Sequence, residues 1–381
     1  MEKKLILSEY DDYRDGKQSR LVGNSEKNTR ATGNDGHCRN NWQRNLRDDP
    51  GECEDDLFAV KIMLPIVNPK RIETETGIMY KANGESSVMP LLYDMLDTNT
   101  GTSALVMPYF QHVDFSQYFD KLELFEIQWY IHGLLKALTH LNKLGIVHRD
   151  VKPANYLFQR TTLQGQLTDF GLSEYLNKTD VYSTNKISFD DKCFKGDCIN
   201  SADSVCNFCI AKPAQRVSRS GSPGFRAPEI LIKSHRQDGM IDVWAAGICL
   251  LSTLARRYPF FPRADDFDAL IQIGALVGSE SLTRACKALN KNISISFLKM
   301  PEESQLKDSV RALRANSWKT ETDEDGKPVF TTPCEDDTAT PEFEKALDLL
   351  SHLLDANPLT RFSASETLEH DFFKYFLAPH L

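Results

Sequence analysis

The sequence predicts an α+β fold in two lobes, a small strand-rich one followed by a larger helical one. Three observations carry that expectation. Leu57 to Met63 (LFAVKIM) is a short run of β-formers, and further strand-like runs follow it. Ile127, Tyr130, Ile131, Leu134, Leu135, Leu138 and Leu141 recur every three or four residues, the spacing of a helix with one buried face. Residues 241–255 are apolar nearly all round, as expected of a helix in the middle of a lobe.

Residues 1–56 are polar and show little periodicity, and much of the stretch reads as loop or disorder. Residues 57–110 then form the small lobe. Leu57 to Met63 looks like a central strand, residues 70–82 a helix, and Val88 to Leu96 and Ala104 to Met107 two strands. The last two are joined by the turn-rich Asp97-Thr98-Asn99-Thr100-Gly101. Residues 111–377 form the helical lobe. Gly145 stands where a helix C-cap belongs, and Ser363 with Glu366 forms a capping box that starts a final helix. Two polar stretches, 173–216 and 300–340, read as inserts that add no obvious core.

Composition sets the outer limits. The chain has 381 residues, 41% hydrophobic and 26% charged, ordinary for a soluble globular protein. A net charge of −9 argues against direct nucleic-acid binding. The N-terminal apolar run is only Leu5-Ile6-Leu7, too short for a signal peptide, and Val243 to Ala255 is too short to span a bilayer. An intracellular, soluble chain is expected. Of its 9 cysteines, four fall between positions 193 and 209, which suggests metal before disulfide.

The chemistry is concentrated in one stretch. His148-Arg149-Asp150 is followed by Asn155, and Asp169-Phe170-Gly171 comes 14 positions after that Asn. Lys61 lies upstream on its strand, and Ala227-Pro228-Glu229 lies downstream. This order and spacing points to phosphoryl transfer. In that chemistry Lys61 holds the α/β-phosphates of ATP. Its acidic partner on the following helix is read as Glu75, with Glu73 as the rival two residues away. Asp169 binds one Mg²⁺ and Asn155 the second. Asp150 accepts the proton of the substrate hydroxyl, and Lys152 offsets charge on the transferring phosphate.

Two further positions read as structural. Glu229 needs a buried cation, and Arg361 is the natural partner. Asp242 either receives backbone N–H bonds from the catalytic loop or is a plain helix cap.

From about Leu57 onward these motifs resemble the eukaryotic protein kinase family. Gly145-Ile146-Val147-His148-Arg149-Asp150-Val151-Lys152-Pro153, the Met107-Pro108-Tyr109 hinge and Gly221-Ser222-Pro223-Gly224-Phe225-Arg226-Ala227-Pro228-Glu229 resemble its cell-division-cycle-seven branch. So do Arg257-Tyr258-Pro259-Phe260 and Asp265-Asp266. The resemblance implies a Ser/Thr kinase that starts DNA replication, a nuclear location and a Dbf-type regulatory subunit. It also implies the minichromosome maintenance helicase as substrate. It places Met107, as gatekeeper, and Tyr109 at the adenine.

Cys193, Cys198, Cys206 and Cys209 resemble that branch's cysteine knuckle. They read as a tetrahedral Zn²⁺ set or as four free thiols. Residues 211–226 carry Lys212, Arg216, Arg219 and Arg226 and no acid, which suits an acidic or phosphorylated substrate.

The departure lies before Lys61, where no G-x-G-x-x-G precedes it. The small lobe's first strands and phosphate flap therefore read as degenerate or missing. Three explanations stand: a truncated or mispredicted chain, a divergent flap, or a pseudokinase-like binding module.

Overall fold

A computed structural model describes residues 19–23, 57–176, 221–234, 236–262, 265–291, 293, 300–322, 328–333 and 336–376. The chain divides into two compact units, Met1–Gly84 with Met89–Gln111, and Glu85–Val88 with His112–Leu381. The first is built on a sheet and the second on helices, the bilobal arrangement that the sequence predicts.

The sheet contains β1 (Ser19–Gly23), β2 (Phe58–Met63), β3 (Tyr93–Asp97) and β4 (Thr102–Pro108) in the order β1-β2-β4-β3, all antiparallel. β2 is central, as its run of β-formers predicts. Strand periodicity sets Lys61 and Met63 inward together, both buried.

Within residues 1–56, much of which reads as loop or disorder, β1 is an ordered exception. Ser19–Gly23 is a strand in register with β2, Leu21 opposite Val60. SRLVG offers too few β-formers to announce itself; the ladder on β2 supplies the backbone partners. The rest of 1–56 lies outside the described residues.

A correction concerns Val88 to Leu96, where the strand begins only at Tyr93. Pro90 has no N–H to give a ladder, and Val88 makes only an isolated bridge to Leu167. The turn after β3 is closed by the Gly101 N–H donating to the Asp97 carbonyl at 2.8 Å.

Helix α1 (Pro69–Ala82) starts at Asn68, whose side chain accepts from the Lys70 N–H, with Pro69 in the first turn. Its buried residues are Glu75, Ile78, Met79 and Ala82, spaced as one helical face. The spacing that buries the apolar stripe also buries the carboxylate.

In the second unit, α2 (Leu124–Lys143) buries all seven periodic residues, and Gly145 follows it at φ +67°, the left-handed conformation of a helix end. Short strands β5 (Ile146–Val147), β6 (Tyr156–Gln159), β7 (Gln164–Leu167) and β8 (Glu174–Tyr175) pair as β5 with β8 and β6 with β7. Next come α3 (Pro228–Leu231), α4 (Met240–Leu254), α5 (Asp266–Val277) and α6 (Ser279–Ala288). Every residue of α4 from Ile241 on is buried, so it is the central helix of the unit.

α7 (Leu306–Ala315), the hairpin β9 (Trp318–Thr322) with β10 (Pro328–Pro333), α8 (Pro341–Leu353) and α9 (Ala364–Leu368) complete the unit. The capping box of Ser363 and Glu366 does open α9.

Residues 300–340 correct the reading of an insert without a core. Leu306 and Val310 of α7 are buried, and so is Arg314 on the same face. The Arg314 guanidinium is held by both oxygens of Asp337, the second at 2.6 Å, and lies 5.2 Å over the Phe343 ring. Its Nη1 donates to the Leu254 carbonyl at 3.1 Å, so a cation closes the C-terminal end of α4.

Arg314→Ala removes these charge-assisted bonds at once. It is expected to lower the unfolding free energy by about 1–3 kcal/mol, measured by urea denaturation. An unchanged midpoint would show that the insert does not brace the core.

Candidate active site

The chain between β5 and β6 turns sharply at Arg149, whose φ is +68°. A non-glycine residue there needs outside support. Asp242, in the first turn of α4, provides it. Its Oδ2 accepts the His148 N–H at 2.7 Å and its Oδ1 the Arg149 N–H at 2.8 Å. Of the two readings of Asp242, the loop-holding one is therefore what the structure contains. Burial pushes its carboxyl up to about 7, against the pull of these two N–H groups and of Arg149.

His148 is fully buried, and burial lowers its pKa. The Asp150 N–H donates to its Nδ1 at 3.3 Å, so the neutral ring keeps its proton on Nε2, 3.2 Å from the Thr168 carbonyl. The Phe170 ring meets it edge-on at 5.0 Å. His148 thus joins the catalytic loop to the segment that carries Asp169.

Asp150 is the hub of the site. One oxygen, Oδ2, accepts from Lys152 Nζ at 2.9 Å and Asn155 Nδ2 at 3.0 Å. The other, Oδ1, accepts from the Ser222 N–H at 2.9 Å and its Oγ at 2.8 Å, while Lys152 also reaches Ser222 Oγ at 2.8 Å. Asn155 donates as well to the Asp150 carbonyl at 2.8 Å, which leaves its Oδ1 as an acceptor for other partners. Asp169 is half-buried at φ +67°.

The structure therefore brings together Asp150, Lys152 and Asn155. It adds Ser222, a residue that the sequence reading placed in a motif without giving it a role. Its only signal was position, seven residues before the end of the Ala-Pro-Glu motif.

In the first unit, Lys61 Nζ donates to Glu75 Oε1 at 2.6 Å, both side chains about 95% buried. Glu73 is exposed, so the helix face decides between the two acids. Met107 pairs with Ala59 across the sheet, and the Tyr109 N–H donates to the Leu57 carbonyl at 2.9 Å, ending the sheet at the hinge.

Glu229 and Arg361 form the expected pair, at 2.8 and 3.1 Å and essentially without solvent. Arg361 also lies 5.1 Å over the Trp244 ring and donates to the Met240 carbonyl.

Two expectations need adjustment. Arg226 is committed to Asp266 at 2.7 Å and to the Gly221 carbonyl at 2.9 Å, so the basic stretch 211–226 is partly neutralised from a distant helix. Sequence proximity cannot show that acid. Cys193, Cys198, Cys206, Cys209, Lys212, Arg216 and Arg219 lie outside the described residues.

Among the described residues, Asp348, His352 and His370 have the spacing of metal ligands. The Phe372 N–H donates to His370 Nδ1 at 3.1 Å, however, so neutral His370 carries its proton on Nε2, facing Asp348.

The protein kinase domain matches residues 52–190 and 204–373. The chain belongs to the protein kinase family. It is 32% identical over 331 residues to "Cell cycle serine/threonine-protein kinase hsk1" of Schizosaccharomyces pombe, covering 82% of this chain and 60% of that protein. "Cell cycle protein kinase spo4" of the same yeast is 30% identical, with 83% and 73% covered. The human "Cell division cycle 7-related protein kinase" is 24% identical, with 84% and 85% covered.

ATP with Mg²⁺ is the general requirement of this family, and the donors present fit it. Asn155 and Asp169 offer amide and carboxylate oxygens, the hard ligands that Mg²⁺ takes, and Lys61 offers a buried cation for phosphate.

Arg361→Ala leaves the buried Glu229 carboxylate unpaired and is expected to cost about 3–5 kcal/mol, read from the unfolding midpoint. Ser222→Ala is expected to reduce kcat by roughly 10-fold or more with little change in melting temperature, and Ser222→Thr to restore it. Equal kcat for the alanine variant would remove Ser222 from the site.

Proposed function

We propose that the chain is an ATP- and Mg²⁺-dependent Ser/Thr protein kinase of the cell-cycle type, with Asp150 as its base. The observation that carries this is the convergence of Lys152, Asn155 and Ser222 on the Asp150 carboxylate. Such a carboxylate is oriented before any substrate arrives, which is what a positioned general base requires. A Ser or Thr hydroxyl would give its proton to Asp150 as its oxygen attacks the γ-phosphorus, and the bond from that phosphorus to the β–γ bridging oxygen would break to release ADP. Lys152, already beside Asp150, would sit near the growing charge. Lys61, fixed by Glu75, would hold the α/β-phosphates, and Met107 and Tyr109 would meet the adenine. Asn155 Oδ1 and the Asp169 carboxylate would hold Mg²⁺, whose charge lowers the repulsion between phosphate and incoming oxygen.

The finer reading follows the cell-division-cycle-seven resemblance and the cell-cycle names of the relatives. It comprises action in the nucleus at the initiation of DNA replication, a Dbf-type regulatory subunit, and a substrate with acidic or phosphorylated flanks such as the minichromosome maintenance helicase. With Arg226 engaged by Asp266, acidic preference rests mainly on Lys212, Arg216 and Arg219. The zinc set of Cys193, Cys198, Cys206 and Cys209 rests on its C-x2-C spacing. Loss of bound zinc in a Cys206→Ser, Cys209→Ser double variant, measured by elemental analysis, would support it. Zinc-free purified protein would end it.

The binding-module reading draws on the missing G-x-G-x-x-G, since backbone N–H donors to phosphate come from such a loop. The decisive experiment is transfer of labelled phosphate from ATP to an acidic Ser peptide, with and without a candidate regulatory subunit, beside Asp169→Ala. Transfer that Asp169→Ala abolishes is expected. Absence of transfer under every condition would favour the module.

A further inference from the structure

Arg149 sits beside the base and carries a positive charge that has to be neutralised. Its side chain is about nine-tenths buried. Its backbone N–H is taken by Asp242. Its guanidinium reaches Gln237 Oε1 through Nη1 at 2.9 Å and Glu174 Oε2 through Nη2 at 3.0 Å. Its Nε is buried and meets no acceptor among the described residues. Gln237 is neutral, so among the described residues the carboxylate that touches this guanidinium is that of Glu174, whose own side chain is about half exposed.

Glu174 is placed there by the backbone. In β8 it lies opposite Val147 of β5, one residue before His148. The Leu176 N–H donates to the Gly145 carbonyl at 2.8 Å, and Ser173 Oγ to the His148 carbonyl at 3.1 Å. Three successive contacts therefore tie the residues after Asp169-Phe170-Gly171 to the catalytic loop, and Glu174 adds a charge to them.

Kinases commonly order this region with a phosphate on the activation segment, paired to arginine. Here a carboxylate encoded in the chain already occupies the arginine next to the base. We infer that Glu174 is a positioning residue for phosphoryl transfer, acting through Arg149 as a resident counter-ion. It makes alignment of the catalytic loop independent of phosphorylation in residues 177–220. The inference rests on the kinase reading and deepens it into a statement about regulation.

The mechanism is electrostatic and geometric. An arginine held at both Nη atoms by two separate acceptors loses rotational freedom. Arg149 precedes Asp150 directly and holds φ +68°, so its side-chain anchor limits how the loop can relax. Without the anion, the buried charge would draw the loop toward water or another acid. The base would then leave the position that Lys152, Asn155 and Ser222 define.

The test uses the full chain, with a regulatory subunit if transfer requires one, before and after phosphatase treatment confirmed by mass spectrometry. Wild type, Glu174→Gln and Glu174→Asp are compared by kcat, by KM for ATP and peptide, by melting temperature, and by hydrogen exchange over residues 146–152. Dephosphorylated wild type is expected to keep its kcat. Glu174→Gln is expected to lose kcat by about tenfold with KM and melting temperature nearly unchanged, and to exchange faster over 146–152. Glu174→Asp should recover much of both.

Loss of wild-type activity on phosphatase treatment, with Glu174→Gln silent, would overturn the inference. So would a Glu174→Gln defect that appears only as lowered melting temperature. If wild type transfers no phosphate at all, the kinase reading fails. The exchange data then decide the counter-ion role alone: faster exchange in Glu174→Gln upholds it, and identical exchange rejects it.

Discussion

A buried carboxylate at the start of the central helix carries the catalytic loop by its backbone. Asp242 takes two consecutive N–H groups, from His148 and Arg149, and the second belongs to a residue in the left-handed region. Everything that follows in the loop inherits its position from those two bonds. Asp150 comes next in sequence, Lys152 and Asn155 fold back onto it, and Thr168 anchors through the Asn155 carbonyl at 2.8 Å. The site is therefore suspended from a helix rather than built on the loop itself, and α4, buried on all sides, is rigid enough to hold it.

Among the described residues, two ion pairs are almost fully buried and share a logic. Lys61 with Glu75 fixes a cation on the sheet; Glu229 with Arg361 fixes the end of the activation segment to the C-terminal part of the chain. Such pairs add little net stability over apolar packing, because desolvating both charges offsets their attraction. They specify one arrangement. A misregistered α1 would bury Glu75 without its lysine, at several kcal/mol, so the wrong register is penalised more than the right one is favoured.

Local signals carried much of this into the sequence. The α2 stripe, the uniform apolarity of α4, Gly145 and the Ser363–Glu366 box each depend on a few neighbouring residues, and each appears where its spacing puts it. Glu75 was distinguishable from Glu73 only once the helix face was known. What stayed hidden was long-range. β1 exists through its ladder with β2, the Asp266 partner of Arg226 lies 40 positions away, and Arg314 finds its acceptors 60 positions back at the end of α4. A charged residue in a polar stretch reads as solvent-facing until its partner is seen. Ser222 was hidden differently: a hydroxyl between glycine and proline looks like a turn former, and only the fold brings Asp150 to it.

The Arg314 contact changes how the 300–340 region should be regarded. α4 spans roughly 22 Å at helical rise, with Asp242 engaged at one end and Arg314 closing the other. The insert is thus a buttress on the far end of the strut from which the chemistry hangs. Shortening that reached Arg314 or Asp337 would loosen the strut, and the damage would surface as a misplaced base in a protein whose own site residues were all intact.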